Sequence, residues 1–262
     1  MSESTTYIHG TAPEEQQRLA GLNRISNRAF VEFLGVLADT HVLEVGSGLG
    51  LLAADVASAA PNVHVVGVEQ AAAQIAAAAQ HPGVRYVQGD AHDLEFGDGT
   101  FDLVYARYLL EHVTDPVNVL REMRRVARPG GRVVACENDV SLLRLDPPCP
   151  AFDRVWKAFQ QYQRQLGGDS RIGRRLYRLF REAGFSNIEL SVQPEVHWHG
   201  SPGFEGWIQN IVGNIESARH GLVDSQLCSQ GQIDDSFAEL GSLIENGDAS
   251  SCFVWNRAIA LR

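Results

Sequence analysis

The sequence predicts an α/β fold. Short apolar runs alternate with helical patterns from about residue 40 to 140, and the apolar runs end in glycine or an acidic residue. Strands that alternate with helices require crossover connections and so a parallel sheet. Short, continuous apolar strands fit a sheet covered on both faces.

Taken in order, Pro13-Glu14-Glu15 opens a helical pattern. Proline in a first turn followed by acids suits a helix N-terminus. Leu19, Leu22, Ile25, Ala29, Phe33, Val36 and Leu37 then recur at helical spacing. Residues 41–45 read as a buried strand, and 49–59 as a helix stopped by Pro61. Residues 63–68 form a second strand ending at Glu69, and 71–80 an alanine-rich helix. Strands follow at 84–87, 101–105 and 132–136, with a helix at 116–127 stopped by Pro129-Gly130-Gly131. In the second half, 151–166 and 172–183 read as helices, 188–198 as a strand, 200–249 as helical and 252–261 as a last strand.

The bulk numbers exclude several classes. The chain has 262 residues, 44% hydrophobic and 21% charged, an ordinary globular balance. The formal net charge of -10 argues against nucleic acid as partner, because backbone binding is driven by Lys and Arg. Cys136, Cys149, Cys228 and Cys252 form no C-x-x-C pair. They fit free thiols in a reducing cytoplasm, the expected location. No apolar run marks a signal peptide, and none has the length of a membrane span. No metal site is expected.

The central motif is Glu44-Val45-Gly46-Ser47-Gly48-Leu49-Gly50. Glycines there allow a tight turn and a close approach of ligand to backbone. A dinucleotide turn prefers Gly or Ala at its sixth position, which here is Leu51. An acid just before the turn suits a cationic ligand better than a diphosphate. Glu69, closing the second strand, is placed to accept both hydroxyls of a ribose. Asp90, closing the third, is placed to accept from an exocyclic adenine amine, with the Ala91 N–H meeting a ring nitrogen.

In this order EVGSGLG, GVEQ, GDAHDLEF, FDLVYARYLLEHV and LREMRRVARPGGRV resemble the class I S-adenosylmethionine-dependent methyltransferases. YIHGTAPEEQQRL is similar to the cofactor-covering N-terminus of bacterial small-molecule members. The resemblance implies a Rossmann-like three-layer α/β fold. Its sheet is seven-stranded and mostly parallel, with an antiparallel last strand inserted beside the sixth. It implies one methyltransferase domain over 1–262: a cofactor-covering helical segment at 1–38, a cofactor-binding core at 39–140 and an inserted helical lid at 200–249.

It also implies roles. Gly46, Ser47 and Gly48 would cradle the methionine part of S-adenosyl-L-methionine, with Glu44 near its amino group. Glu69 would hold the ribose, and Asp90 and Ala91 the adenine, with Gln70 and Leu94 against its faces. Arg107 would meet the cofactor carboxylate or else pair with Glu111 on its own helix. Tyr7 would close over the cofactor, with Arg18 as another carboxylate partner.

The candidate catalytic residues are His112, Glu137 and Asn138, near the substrate mouth. Each has a plainer reading, His112 as a helix histidine and Glu137 and Asn138 as a polar strand end. His197 and His199 share one face of a strand, without a third ligand for a metal. The expected function is methyl transfer to an O, N, S or C atom of a small molecule, releasing S-adenosyl-L-homocysteine. A nicotinamide-dependent oxidoreductase and a non-catalytic cofactor-binding protein remain as alternatives. No membrane partner is expected, and the N-terminal helix or the lid is a candidate homodimer contact.

Overall fold

The computed structural model describes residues 13–262. The chain divides into two compact units. The sheet unit comprises 26–138, 172–193 and 255–262; the helical unit comprises the N-terminal part to 25, 139–171 and 194–254.

In the sheet unit the elements run β1 (His41–Val45), α2 (Leu51–Ala57), β2 (His64–Glu69), α3 (Ala72–Ala77), β3 (Val84–Gln88), β4 (Phe101–Arg107), α4 (Pro116–Val126) and β5 (Ala127–Glu137). The second half of α1 (Pro13–Leu34), the helix α6 (Leu176–Glu182) and the end of β8 (Ser250–Leu261) complete it. Strand order is β3-β2-β1-β4-β5-β8. The first five are parallel, and β8 is antiparallel to β5. The order reverses between β1 and β4, so the turn after β1 opens at a topological switch point, where ligands bind in such sheets.

One face of the sheet carries the main apolar cluster. Leu43 and Val45 of β1 and Val104 and Ala106 of β4 meet Val119, Leu120 and Met123 of α4 and Leu176 and Phe180 of α6. The opposite face holds a row fixed by parallel register: Tyr86, Gly67, Glu44 and Tyr105 pair across β3, β2, β1 and β4. Partners in register point to one face. Phe30 of α1 packs edge-on to Tyr105, with ring centroids 5.8 Å apart.

Several element ends differ from the sequence expectation. α1 stops at Leu34, and Leu37 is exposed. Gly35 takes a left-handed conformation (φ 52°) that ends the helix. Arg132 then donates to the freed carbonyls of Leu34 (2.6 Å) and Gly35 (3.2 Å). α3 is cut short because Ala78 turns extended and the Ala79 N–H bonds to the Leu49 carbonyl (2.9 Å). Pro129-Gly130-Gly131 lies within β5 rather than before it, in an excursion between the pairs Phe101↔Ala127 and Leu103↔Arg132.

The helical unit contains β6 (Arg144–Asp146), α5 (Pro150–Gln165), α7 (Phe204–Asp224) and α8 (Gln230–Ile244). β7 (Ile188–Trp198), like β8, begins in one unit and ends in the other, and the two strands pair. The three-residue β6 had no sequence signal, and it brings the sheet to eight strands among the described residues. The segment expected as a lid folds as α7 and α8, which pack with α5 of the same unit. Phe152, Trp156 and Phe159 stack in its core, where the Trp156 indole N–H bonds to the Val140 carbonyl (2.9 Å).

Candidate functional site

The glycine turn is built by its backbone. Gly46, Gly48 and Gly50 all have positive φ (77°, 51° and 68°), a region closed to most side chains. The N–H groups of Gly46 and Ser47 both bond to the Val68 carbonyl at 2.9 Å, which docks the turn on the end of β2. Glu69 then fixes it from the side. One carboxylate oxygen accepts from the Gly48 N–H and the other from the Ala71 N–H, each at 2.9 Å. The sequence identified Glu69 only as a ribose acceptor; in the fold it also anchors the turn.

Glu44 lies beneath the turn and is 4% exposed. Burial pushes its carboxyl up to about 8, against the opposing effects of Arg107 and the Tyr105 hydroxyl. Burial, followed by the Glu44 charge, raises Tyr86 to about 12. The Tyr86 hydroxyl donates to the carbonyls of Ala79 (2.8 Å) and Gly50 (3.3 Å). Gly67 leaves room for Ser47 and the Tyr86 ring, since a Cβ there would lie 2.8 Å from Ser47 and 2.9 Å from the ring. Ser47 Oγ and Gln74 Oε1 are buried without a hydrogen-bond partner among the described residues. Two orphaned polar atoms beside a glycine cradle suit a polar ligand.

Asp90 follows β3. Its Oδ1 accepts from the backbone N–H of His92 (2.9 Å) and meets His92 Nδ1 at 2.8 Å. The backbone N–H first, and then the ring, hold its carboxyl below the usual range against partial burial. Ala91 is half-buried, Leu94 is buried in the core cluster and Gln70 is exposed.

Arg107 ends β4 and does not sit on a helix. Residues 108–113 form turns, with Tyr108 at φ 55°. The expected helical pairing of Arg107 with Glu111 therefore gives way to bonds from its guanidinium to Asn27 Oδ1 (2.6 Å) and Ser26 Oγ (3.3 Å) of α1. The guanidinium also lies 5.5 Å from the Phe30 ring and 5.0 Å from the Tyr108 ring. Asn27 donates in turn to Asp55 (2.5 Å). Sequence reasoning missed Ser26, Asn27 and the two tyrosines. A polar pair inside an otherwise apolar helix stripe was the available signal.

The candidate catalytic residues converge on Glu111. Asn138 Nδ2 donates to its Oε1, and His112 Nε2 lies 3.8 Å from the same oxygen. Glu137 is fully buried, and its Oε1 accepts from the N–H groups of Leu110 (2.8 Å) and Leu109 (3.1 Å). Burial, and then the Glu111 carboxylate beside it, push Glu137 well above the usual range. Those bonds make Glu137 the clasp of the turn after β4. Glu137→Ala is expected to lower unfolding free energy by about 3 kcal/mol by leaving buried N–H groups unpaired, with a smaller loss for Glu137→Gln. Denaturant titration measures both.

Tyr7 lies outside the described residues. In the helical unit, Arg18 donates to Asn210 Oδ1 (2.7 Å), in the space left by Gly213. His197 and His199 have separate partners in the fold. His197 bonds Glu195 (2.7 Å), His199 meets the Ile244 carbonyl (3.1 Å), and no metal-ligand cluster occurs among the described residues.

Residues 43–135 match the family model described as "Methyltransferase domain". This stretch, which runs from β1 into β5, is the part of the chain that is similar to methyltransferases. The chain is 34% identical over 142 residues to a demethylmenaquinone methyltransferase of Beutenbergia cavernae, covering 54% of this chain and 56% of that protein. It is 33% identical over 164 residues to an O-methyltransferase of Aspergillus sclerotiorum, covering 59% and 58%. The chain spans about half the length of the curated relatives it matches. Among solved structures, a phosphoethanolamine N-methyltransferase of Haemonchus contortus superposes with a TM-score of 0.55 at 21% identity, covering 94% of this chain and 52% of that one. The [4+2]-cyclase SpnF gives a TM-score of 0.52 at 19% identity, covering 88% and 79%. At such identities the chain shares a fold with them, and the fold alone does not assign chemistry. No described helix is long and apolar enough to cross a membrane.

Proposed function

We propose that this chain moves the methyl group of S-adenosyl-L-methionine to an O, N, S or C atom of a small-molecule acceptor. The observation that carries this reading is the run of three acids, Glu44, Glu69 and Asp90, around one glycine turn at the ends of three adjacent parallel strands. Each suits a different donor group of such a cofactor: an ammonium, a diol and an exocyclic amine. The acids at Glu69 and Asp90 disfavour a diphosphate there.

When bound, the cofactor supplies an electrophilic methyl group on a sulfonium. The chain's residues do the rest. The turn Gly46-Ser47-Gly48 offers Ser47 Oγ and, beside it, Gln74 Oε1 as polar partners. Glu44 would face the ammonium, and a cation there would favour its charged form. Glu69 keeps free lone pairs for ribose hydroxyls while holding the turn. Asp90 and the Ala91 N–H read adenine, with Gln70 and Leu94 beside it. Arg107, which holds α1 through Asn27, would face the cofactor carboxylate. His112 and Asn138 act through Glu111, which is the candidate proton acceptor where the nucleophile must lose a proton. Holding two reactants in line and excluding water supplies about 7–11 kcal/mol without any base. The net charge of -10 favours a small acceptor over nucleic acid. Free cysteines favour the cytoplasm.

Calorimetric titration with S-adenosylmethionine and S-adenosylhomocysteine, with NAD and NADP as controls, tests this reading. Micromolar binding of the sulfur compounds alone is expected, followed by transfer of labelled methyl to acceptors in a screen. Binding of the nicotinamide compounds instead would overturn it. Asp90→Ala is expected to weaken S-adenosylhomocysteine binding about tenfold, the loss of one hydrogen bond to a charged group.

A further inference from the structure

His92 is the residue that the site uses without any assigned part. Its ring meets Asp90 Oδ1 at 2.8 Å, and its own backbone N–H binds the same oxygen at 2.9 Å. Oδ2 takes part in neither bond. An ionised Asp90 only accepts, so Nδ1 carries the ring proton in this contact. The other nitrogen agrees: Nε2 is buried without a hydrogen-bond partner among the described residues, and a proton there would need an acceptor.

The loop that presents His92 is fixed independently of the ring. Asn118 of α4 donates to the His92 carbonyl (2.9 Å). Glu122 accepts from the Leu94 N–H (2.9 Å), and Arg125 donates to the carbonyls of Leu94 and Phe96 (2.7 Å each). With the backbone pinned to α4 at these points, removing the imidazole frees the Asp90 carboxylate rather than the loop.

We propose that His92 is a positioning residue for purine discrimination: it turns Asp90 so that Oδ2 alone faces the ligand, and thereby selects an exocyclic amine over a carbonyl at the purine 6-position. The inference rests on the reading of Asp90 as the adenine acceptor. It adds the residue that sets the carboxylate's direction. The shift of Asp90 below the usual carboxylate range, caused first by the His92 N–H and then by its ring against desolvation, has the matching sign.

The test compares two ligands by calorimetry: S-adenosylhomocysteine and its deaminated analogue, in which a carbonyl replaces the amine. Wild type, His92→Ala, His92→Asn, Asp90→Ala and the double variant His92→Ala/Asp90→Ala are titrated, with thermal melts to confirm folding. His92→Ala is expected to weaken the adenine ligand about five- to tenfold and the deaminated ligand little, as befits one charged hydrogen bond. Asparagine places an amide N–H close to the position of Nδ1, so His92→Asn is expected to restore most of the ratio. In the Asp90→Ala background, His92→Ala is expected to add nothing.

Equal weakening of both ligands would reduce His92 to a loop-packing role and overturn the proposal. So would an unchanged ratio in His92→Ala alongside a lowered one in Asp90→Ala. An unchanged ratio in Asp90→Ala would instead remove the adenine assignment itself, and the proposal with it. Failure of the wild type to bind either ligand would overturn the proposed function.

Discussion

Gly50→Ala is expected to lose about 2–5 kcal/mol of stability, enough to unfold a large fraction of a marginally stable domain. Two effects add. Gly50 has φ 68°, and an L-residue in the left-handed region costs about 1–2 kcal/mol. The larger effect is steric. A Cβ at Gly50 would lie 2.0 Å from the Tyr86 hydroxyl oxygen and 2.4 Å from the ring carbon that bears it. The tyrosine cannot swing aside freely, because its hydroxyl is held by the carbonyls of Ala79 and Gly50. Overpacking of this kind costs about 1–3 kcal/mol even where the neighbours yield. Guanidinium unfolding of Gly50→Ala, Tyr86→Ala and the double variant tests the mechanism. The two changes are expected to be strongly non-additive, the second costing little once the first is made. Additive losses would show that strain in the turn, and not Tyr86, sets the requirement for glycine.

The second large effect is a pH dependence centred on Glu44. Its carboxyl is raised from 4.5 to about 8 by burial, so the folded state binds a proton that the unfolded state releases. Stability from this group is complete below pH 4.5 and falls as pH rises to 8. Above 8 it changes no further. The shift corresponds to roughly 4–5 kcal/mol across that window. Glu137, raised for the same first cause, adds a slope of the same sign. Glu44→Gln keeps the shape and removes the titration. It is expected to flatten the fall in ligand-free stability between pH 5 and 8 without abolishing it. The same proton couples to ligand. If Glu44 meets an ammonium, binding of S-adenosylhomocysteine at pH 7 releases close to one proton, which calorimetry in buffers of different ionisation enthalpy would read. Glu44→Gln should release none. A slope identical in wild type and Glu44→Gln would mean that Glu44 is ionised in the folded chain.

The elements that place the site were legible because their signals are local. Apolar runs, the helix stop at Pro61 and the glycine turn each depend on a few neighbouring residues. The expected strand at 188–198 and the observed β7 have the same bounds. The acids at the ends of β2 and β3 could be found by counting from strand ends, since a parallel sheet gathers such ends on one edge. Reading failed where a residue's partner comes from a distant strand or helix. Glu137 reads as a candidate catalytic group or as a polar strand end, and the turn after β4 folds its N–H groups onto it. Arg107 reads as a partner of the cofactor carboxylate or of Glu111; the chain turns at Tyr108, and Arg107 meets α1, eighty residues earlier in the chain.

The sequence by itself determined the α/β order, the glycine turn after the first strand and the three acids around it. Periodicity, glycine's conformational freedom and the spacing of strand ends are written into neighbouring residues. Only the tertiary structure decided which of those acids is held protonated by burial, which anchors the turn and which is aimed by a histidine. Protonation, orientation and hydrogen bonding depend on strand register and on the groups that register brings opposite each carboxyl, and neither is encoded within the span of a local motif.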